Sequence, residues 1–181
     1  MYKTYSTKLK NNVVTIFEGE YYITSTKEII STVLGSCITV CLYDKKIGLS
    51  GMNHFLLPKA PDDKKALCSS KTSKATMRYG EALMPALLNA MIKKGAKRKD
   101  LAAKIFGGGR IIQSRVGNLS TGDKNIKFAR FFLKKEGIPI LKESVGNYCG
   151  RRIYFLTDSN IVLVRKLELD ESVYNRRFFF S

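Results

Sequence analysis

A single histidine, His54, stands in the 181 residues. Any step that needs an imidazole from this chain must use it. The four cysteines, Cys37, Cys41, Cys68 and Cys149, are irregularly spaced. That spacing speaks against a disulfide framework and for reduced thiols. Cys37 and Cys41 are not at a usual zinc spacing, and one histidine with scattered cysteines makes a poor tetrahedral set, so no metal site is expected. No apolar stretch approaches the ~20 residues of a membrane helix, so no membrane span is expected. Residues 1–5 lack an apolar h-region, which leads to the expectation of no signal peptide and a cytoplasmic protein. Acidic residues are scarce as well: 15 Asp and Glu face 32 Lys and Arg, for a net charge of +17. The surplus calls for an acidic partner, whether nucleic acid, an anionic membrane face or an acidic protein, and a solvated basic surface is the plainer reading. A nucleic-acid groove is not expected, because aromatics do not interleave with the clusters Lys93-Lys94 and Lys97-Arg98-Lys99 as a stacking platform requires. The triple glycine Gly107-Gly108-Gly109 lacks the Gly-Lys-Ser/Thr ending of a phosphate loop and the spacing of a dinucleotide fingerprint. It reads as a tight turn after a buried strand, with a place on the floor of a site left open.

The hydrophobic content, 44%, is enough to fill the core of one domain. No repeat or linker divides the chain. Strands are expected over 13–17, 28–34, 37–43, 47–57, 102–106, 138–141, 152–156 and 161–167. Asp44-Lys45-Lys46 reads as a hairpin turn that brings positions 37 and 54 to one end. Asp158-Ser159-Asn160 reads as a second turn. Residues 59–72 are polar and read as a loop. A helix is expected over 73–94, with Tyr79, Leu83, Leu87 and Met91 on one face and Gly95 ending it. Pro85 either kinks that helix or starts another. A second helix runs to Glu136, capped by Asp123, with Ile126, Ala129 and Leu133 inward and Gly137 closing it. The order of elements predicts a layered α/β or α+β domain.

The chemistry-bearing residues sit early. Leu34-Gly35-Ser36-Cys37 places a thiol after a glycine turn, and His54 follows. A thiolate is the attacking form of cysteine, and a nearby imidazole favours it. Gly35 and Ser36 let the backbone N–H groups around Cys37 aim at one point, as an oxyanion hole needs. On residues alone two readings stand: a thiol–imidazole pair, or a small buried hydrophobe beside a core histidine. Cys41, inside the apolar run, fits the second.

Segment by segment, the chain resembles the CheD family of chemoreceptor glutamine deamidases. Residues 30–44 match its nucleophile segment and residues 51–58 its histidine segment. Arg78-Tyr79-Gly80, residues 103–109 and Gly150-Arg151-Arg152 fall where the family has similar runs. The match covers about 24–167 of a single domain spanning 1–181, and leaves 168–181 as a Phe-rich tail. The resemblance implies a fold of layered β-sheets with helices packed on one side, similar to the catalytic domain of cytotoxic necrotizing factor toxins. It implies hydrolysis of a glutamine side-chain amide on methyl-accepting chemotaxis receptors, without metal or nucleotide cofactor. In that reading Cys37 is the nucleophile and His54 the base. A hydroxyl six residues before the cysteine falls on Ser31, with Thr32 beside it, and either residue fits the third role. Asn53, Gly107 and Gly108 become substrate-side candidates. The resemblance also implies a CheC-type phosphatase as a partner, and thiolate attack on receptor methyl esters is a side reaction open to the same site. A binding regulator of the pathway, with catalysis secondary, is the competing function. A nucleic-acid-binding module rests on charge alone.

Overall fold

Ten strands and two helices stack as sheet, sheet and helix layer in the computed structural model, which describes residues 1–61, 75–110 and 119–167. In chain order the strands are β1 (Tyr2–Ser6), β2 (Asn11–Thr15), β3 (Glu20–Thr24), β4 (Ile29–Leu34), β5 (Ile38–Asp44), β6 (Leu49–His54), β7 (Leu101–Gly107), β8 (Ile140–Val145), β9 (Gly150–Leu156) and β10 (Ile161–Leu167). The helices are α1 (Gly80–Lys93) and α2 (Thr121–Lys135). One sheet has the order β1-β2-β4-β9-β10, the other β3-β6-β5-β7-β8. The fold is thus mixed α+β, with both helices on the outer side of the second sheet.

Period-two alternation along β5 explains the layering. Ile38, Val40 and Leu42 point to the helices and join Leu83, Leu87 and Met91 of α1 with Ile126, Ala129 and Leu133 of α2. Cys41 and Tyr43 point the other way, into a core shared with Ile30 and Leu34 of β4 and Ile153 and Phe155 of β9. A strand buried on both faces reads as a continuous apolar run. Each fully buried Leu, Ile or Phe here contributes roughly 1.5–3 kcal/mol. Cys41 is completely buried and its thiol pKa is pushed up by burial, which makes it a core residue.

The hairpin expected around Asp44 is present, with β5 and β6 antiparallel from Cys41↔Met52 to Asp44↔Leu49. Two strands are additions to the sequence expectation: β1 is almost wholly exposed and β3 only half-buried, so neither shows apolar alternation. The first helix begins at Gly80, after a 3-10 turn over Thr76–Arg78, and runs unbroken through Pro85. Pro85 removes one early intrahelical bond, and the buried residues of α1 on either side hold the helix through it. At the second helix the cap is Ser120, not Asp123. The Ser120 side chain accepts from the Asp123 N–H while the Asp123 carboxylate reaches back, a capping box. Among the described residues no helix is long and apolar enough to cross a membrane. Most of the loop expected over 59–72, Cys68 within it, and the 168–181 tail lie outside the described residues.

Candidate active site

Gly35, Ser36 and Cys37 form the three-residue link that carries the chain from β4 in one sheet to β5 in the other. The link lies at one end of the sandwich. His54 is the last residue of β6, the strand beside β5. The mutual bonds of Ile38 and Phe55 (Ile38 N–H to Phe55 O at 3.1 Å, Phe55 N–H to Ile38 O at 3.0 Å) set the register there. In that register Cys37 and His54 are diagonal neighbours on the same face of the sheet. The hairpin therefore places the two sequence-predicted residues on one face of the sheet, with no hydrogen bond between Cys37 and His54 Nε2.

The third residue arrives from the opposite sheet. Thr32 Oγ1 lies 2.8 Å from His54 Nδ1 and donates at 2.8 Å to the carbonyl of Ile16. A hydroxyl has one proton, and a carbonyl can only accept. The proton goes to Ile16, so Thr32 accepts from Nδ1–H. His54 then carries its lone pair on Nε2, which is buried with no hydrogen-bond partner. Strand alternation decides between the two hydroxyl candidates. Thr32 shares its face of β4 with Ile30 and Leu34, which pack toward the second sheet. Ser31 is on the reverse face, so the structure does not bring it to His54. Its backbone carbonyl accepts from Ile16 N–H at 2.9 Å and so fixes the very residue that Thr32 binds.

Burial dominates the electrostatics. It pushes the Cys37 thiol up to about 11, reinforced by the charge of Glu18 and opposed by the residue's own backbone N–H and by Arg78. Burial also pushes His54 down to about 4, against the pull of Glu18 and Glu20. At neutral pH the resting pair is thus thiol and neutral imidazole. Burying a charge here costs more than the neighbouring groups return. Glu18, Glu20 and Arg78 line an open groove of about 590 Å³ together with Met1, Phe17 and Ala75. Glu18 and Arg78 are paired at 2.5 Å across it. Sequence reading assigned no role to Glu18 or Arg78. Exposed charges near a site carry no periodic signal.

The three residues named as substrate-side candidates make structural contacts. Asn53 is fully buried and faces the helices, not the groove. Its Oδ1 accepts from Val40 N–H at 3.0 Å and its Nδ2 reaches Met84 Sδ at 3.1 Å. The side chain replaces its own carbonyl in the β5–β6 ladder, and Thr39 Oγ1 takes that carbonyl instead. Gly107 and Gly108 are left-handed, at φ 108° and 65°, whereas Gly35 is not. Gly108 N–H donates to Cys37 O at 2.7 Å and Gly109 N–H to Gly35 O at 2.8 Å. A Cβ on Gly107 would stand 2.2 Å from the Cys37 carbonyl. The glycines clasp the link from behind.

One buried residue has no counterpart in the sequence reading. Asn125 of α2 donates through Nδ2 to Ser36 O and Leu56 O, each at 2.9 Å. Its Oδ1 is buried without a partner, an arrangement that costs about 1–3 kcal/mol. The signal was available: Asn125, Ala129 and Leu133 are i, i+4, i+8 on one helix face, and a polar residue on an apolar stripe is informative. Among the described residues no three His, Cys, Asp or Glu side chains gather as a metal ion would need.

The chain is similar to curated proteins of one family. It is 45% identical over 150 residues to the probable chemoreceptor glutamine deamidase CheD 2 of Shewanella oneidensis, spanning 81% of this chain and 72% of that one. It is 40% identical over 164 residues to the probable chemoreceptor glutamine deamidase CheD of Herminiimonas arsenicoxydans, spanning 91% and 78%. A likeness to the crystal structure of the hypothetical protein YfiH of Bacillus licheniformis, at TM-score 0.41 and 17% identity over 68% of this chain and 49% of that one, is too loose to bear on fold or site. The family model described as CheD chemotactic sensory transduction matches residues 56–166. On the family match and the extent of these identities, the chain belongs to the CheD family.

Proposed function

We propose that this chain hydrolyses the side-chain amide of glutamine on methyl-accepting chemotaxis receptors, giving glutamate and ammonia. The observation that carries the reading is the Thr32–His54 bond, which leaves the Nε2 lone pair open on the face that holds Cys37. The names of the relatives, chemoreceptor glutamine deamidases, supply the substrate class.

The chemistry follows from the neutral resting pair. Glutamine enters through the groove beside Glu18 and Arg78. His54 Nε2 takes the Cys37 proton as sulfur attacks the amide carbon, so the charges form only when they are used. Backbone N–H groups of the link stabilise the tetrahedral oxyanion. The imidazolium is held by Thr32 at Nδ1 and returns its proton to the departing nitrogen. The C–N bond breaks, ammonia leaves and a thioester to Cys37 remains. His54 then draws a proton from water, which attacks the thioester and releases glutamate with the thiol restored. A receptor methyl ester meets the same attack, with methanol leaving.

The same reading includes a β/β/α core of the type found in the catalytic domain of cytotoxic necrotizing factor toxins, and a CheC-type phosphatase as partner. Both rest on the family resemblance. The net charge of +17 supports steering toward acidic receptor helices. The test is ammonia release from a receptor cytoplasmic fragment. Release that requires both enzyme and receptor glutamines is expected, and no release above the fragment alone overturns the reading.

A further inference from the structure

The link residues present their carbonyls to one side. Gly35 O goes to Gly109 N–H and Cys37 O to Gly108 N–H. Ser36 O, between them, goes to the Asn125 amide. Every described peptide bond is trans, and a trans peptide is planar, with its C=O and N–H pointing in opposite directions. Fixing the carbonyls of Gly35 and Ser36 therefore fixes the N–H groups of Ser36 and Cys37 on the opposite side. Among the described residues neither N–H donates to another residue. Two backbone donors are thus left free beside the attacking atom.

We propose that Asn125 is a positioning residue for the oxyanion: its amide holds the Ser36 carbonyl so that the Cys37 N–H faces the position the oxyanion oxygen takes. The second Nδ2 bond, to Leu56 O, anchors the clamp two residues beyond His54. One side chain thereby ties the nucleophile link to the histidine strand. The two glycine bonds come from backbone that is present whatever residue stands at 125, so the Ser36 carbonyl is the one member of the set that a side chain controls. Asn125 Oδ1 has no partner, so its donors alone account for an amide at this buried position. The inference rests on the catalytic role proposed for Cys37.

Two thiol probes separate this role from a general loosening of the site. p-Nitrophenyl acetate acylates a thiolate through a tetrahedral oxyanion: the S–C bond forms, the C–O bond breaks and p-nitrophenolate leaves. Iodoacetamide alkylates the same sulfur by direct displacement of iodide and forms no oxyanion. Both rates are read at the Cys37 peptide by mass spectrometry, in wild type, Asn125→Leu and Asn125→Asp. Acylation is expected to fall toward the roughly 10²-fold scale of one lost oxyanion donor, with alkylation near the wild-type rate. Partial unfolding alters both rates together, so their ratio stays informative if either variant is unstable. A ratio unchanged from wild type in both variants overturns the proposal, as does a wild-type ratio no higher than that of a free cysteine peptide. Neither probe is a receptor. A changed ratio in a protein that fails to deamidate receptors would remove the deamidase reading and keep the positioning role.

Discussion

Thr32 on one sheet holds His54 on the other, through a 2.8 Å contact between Oγ1 and Nδ1. Because the Thr32 proton is committed to Ile16, this contact sets the tautomer of the only imidazole in the chain. Thr32→Val keeps the shape and removes the acceptor. It is expected to lower kcat for receptor deamidation about tenfold or more, within the range of general-base catalysis. Ser31→Ala, on the reverse face, is expected to leave the rate near wild type. Equal losses in the two variants would contradict the assignment.

The buried imidazole makes stability depend on pH. In the folded chain His54 is pushed down from 6.5 to about 4 by burial. The unfolded state therefore binds more protons between these values. The contribution is fully present above pH 6.5 and is lost as pH falls toward 4. Urea midpoints measured from pH 7 to pH 4 are expected to drop more steeply in wild type than in His54→Gln. Parallel profiles would show that the ring is not held neutral.

Glu18 and Arg78 act on the thiol in opposite senses: Glu18 raises Cys37 and Arg78 lowers it. The pH profile of Cys37 alkylation is expected to move to lower pH in Glu18→Gln and to higher pH in Arg78→Met. The two residues are themselves paired, so each change also alters the partner. Shifts in the same direction would contradict the placement of the two charges around the sulfur.

Gly107→Ala tests the clasp behind the nucleophile. At φ 108°, with a new Cβ 2.2 Å from Cys37 O, the added methyl group has no room. A loss of about 1–3 kcal/mol in stability is expected from the backbone strain, together with a lower kcat as the link shifts. Gly48→Ala, also left-handed but with nothing near its Cβ, is the control: its stability falls through strain while kcat stays close to wild type. Loss of kcat in both would deny Gly107 a specific part in holding the link.

Much of the site was legible because its residue types are rare here. One histidine and a thiol after a glycine turn drew attention to Cys37 and His54, and the Asp44 hairpin joined them. The β5 and β6 strands were readable as apolar runs bounded by turns. Ser31 and Thr32 could not be separated by sequence matching, because the distinction is which face of β4 each occupies, and a shift of one residue reverses the face. Asn53 was a substrate-side candidate only through the family resemblance. Its neighbour's opposite orientation puts it in the helix layer. β1 and β3 lacked a signal because they bury too little to need alternating apolar residues. Asn125 is 88 positions from Cys37 in the chain, and only tertiary packing reveals its partners.

The basic surface yields a salt-dependent prediction. With a net charge of +17, attraction to acidic receptor helices is screened as ionic strength rises. The apparent affinity for a receptor cytoplasmic fragment is expected to weaken steadily between low and physiological salt. An affinity indifferent to salt would remove electrostatic steering from the account.

The most direct measurement follows glutamine-to-glutamate conversion on a receptor cytoplasmic fragment by peptide mass spectrometry, comparing wild type with Cys37→Ala. Conversion at defined glutamines by wild type, and none above background by Cys37→Ala, is the predicted result. Equal conversion by both proteins would contradict the assignment of Cys37 as the nucleophile.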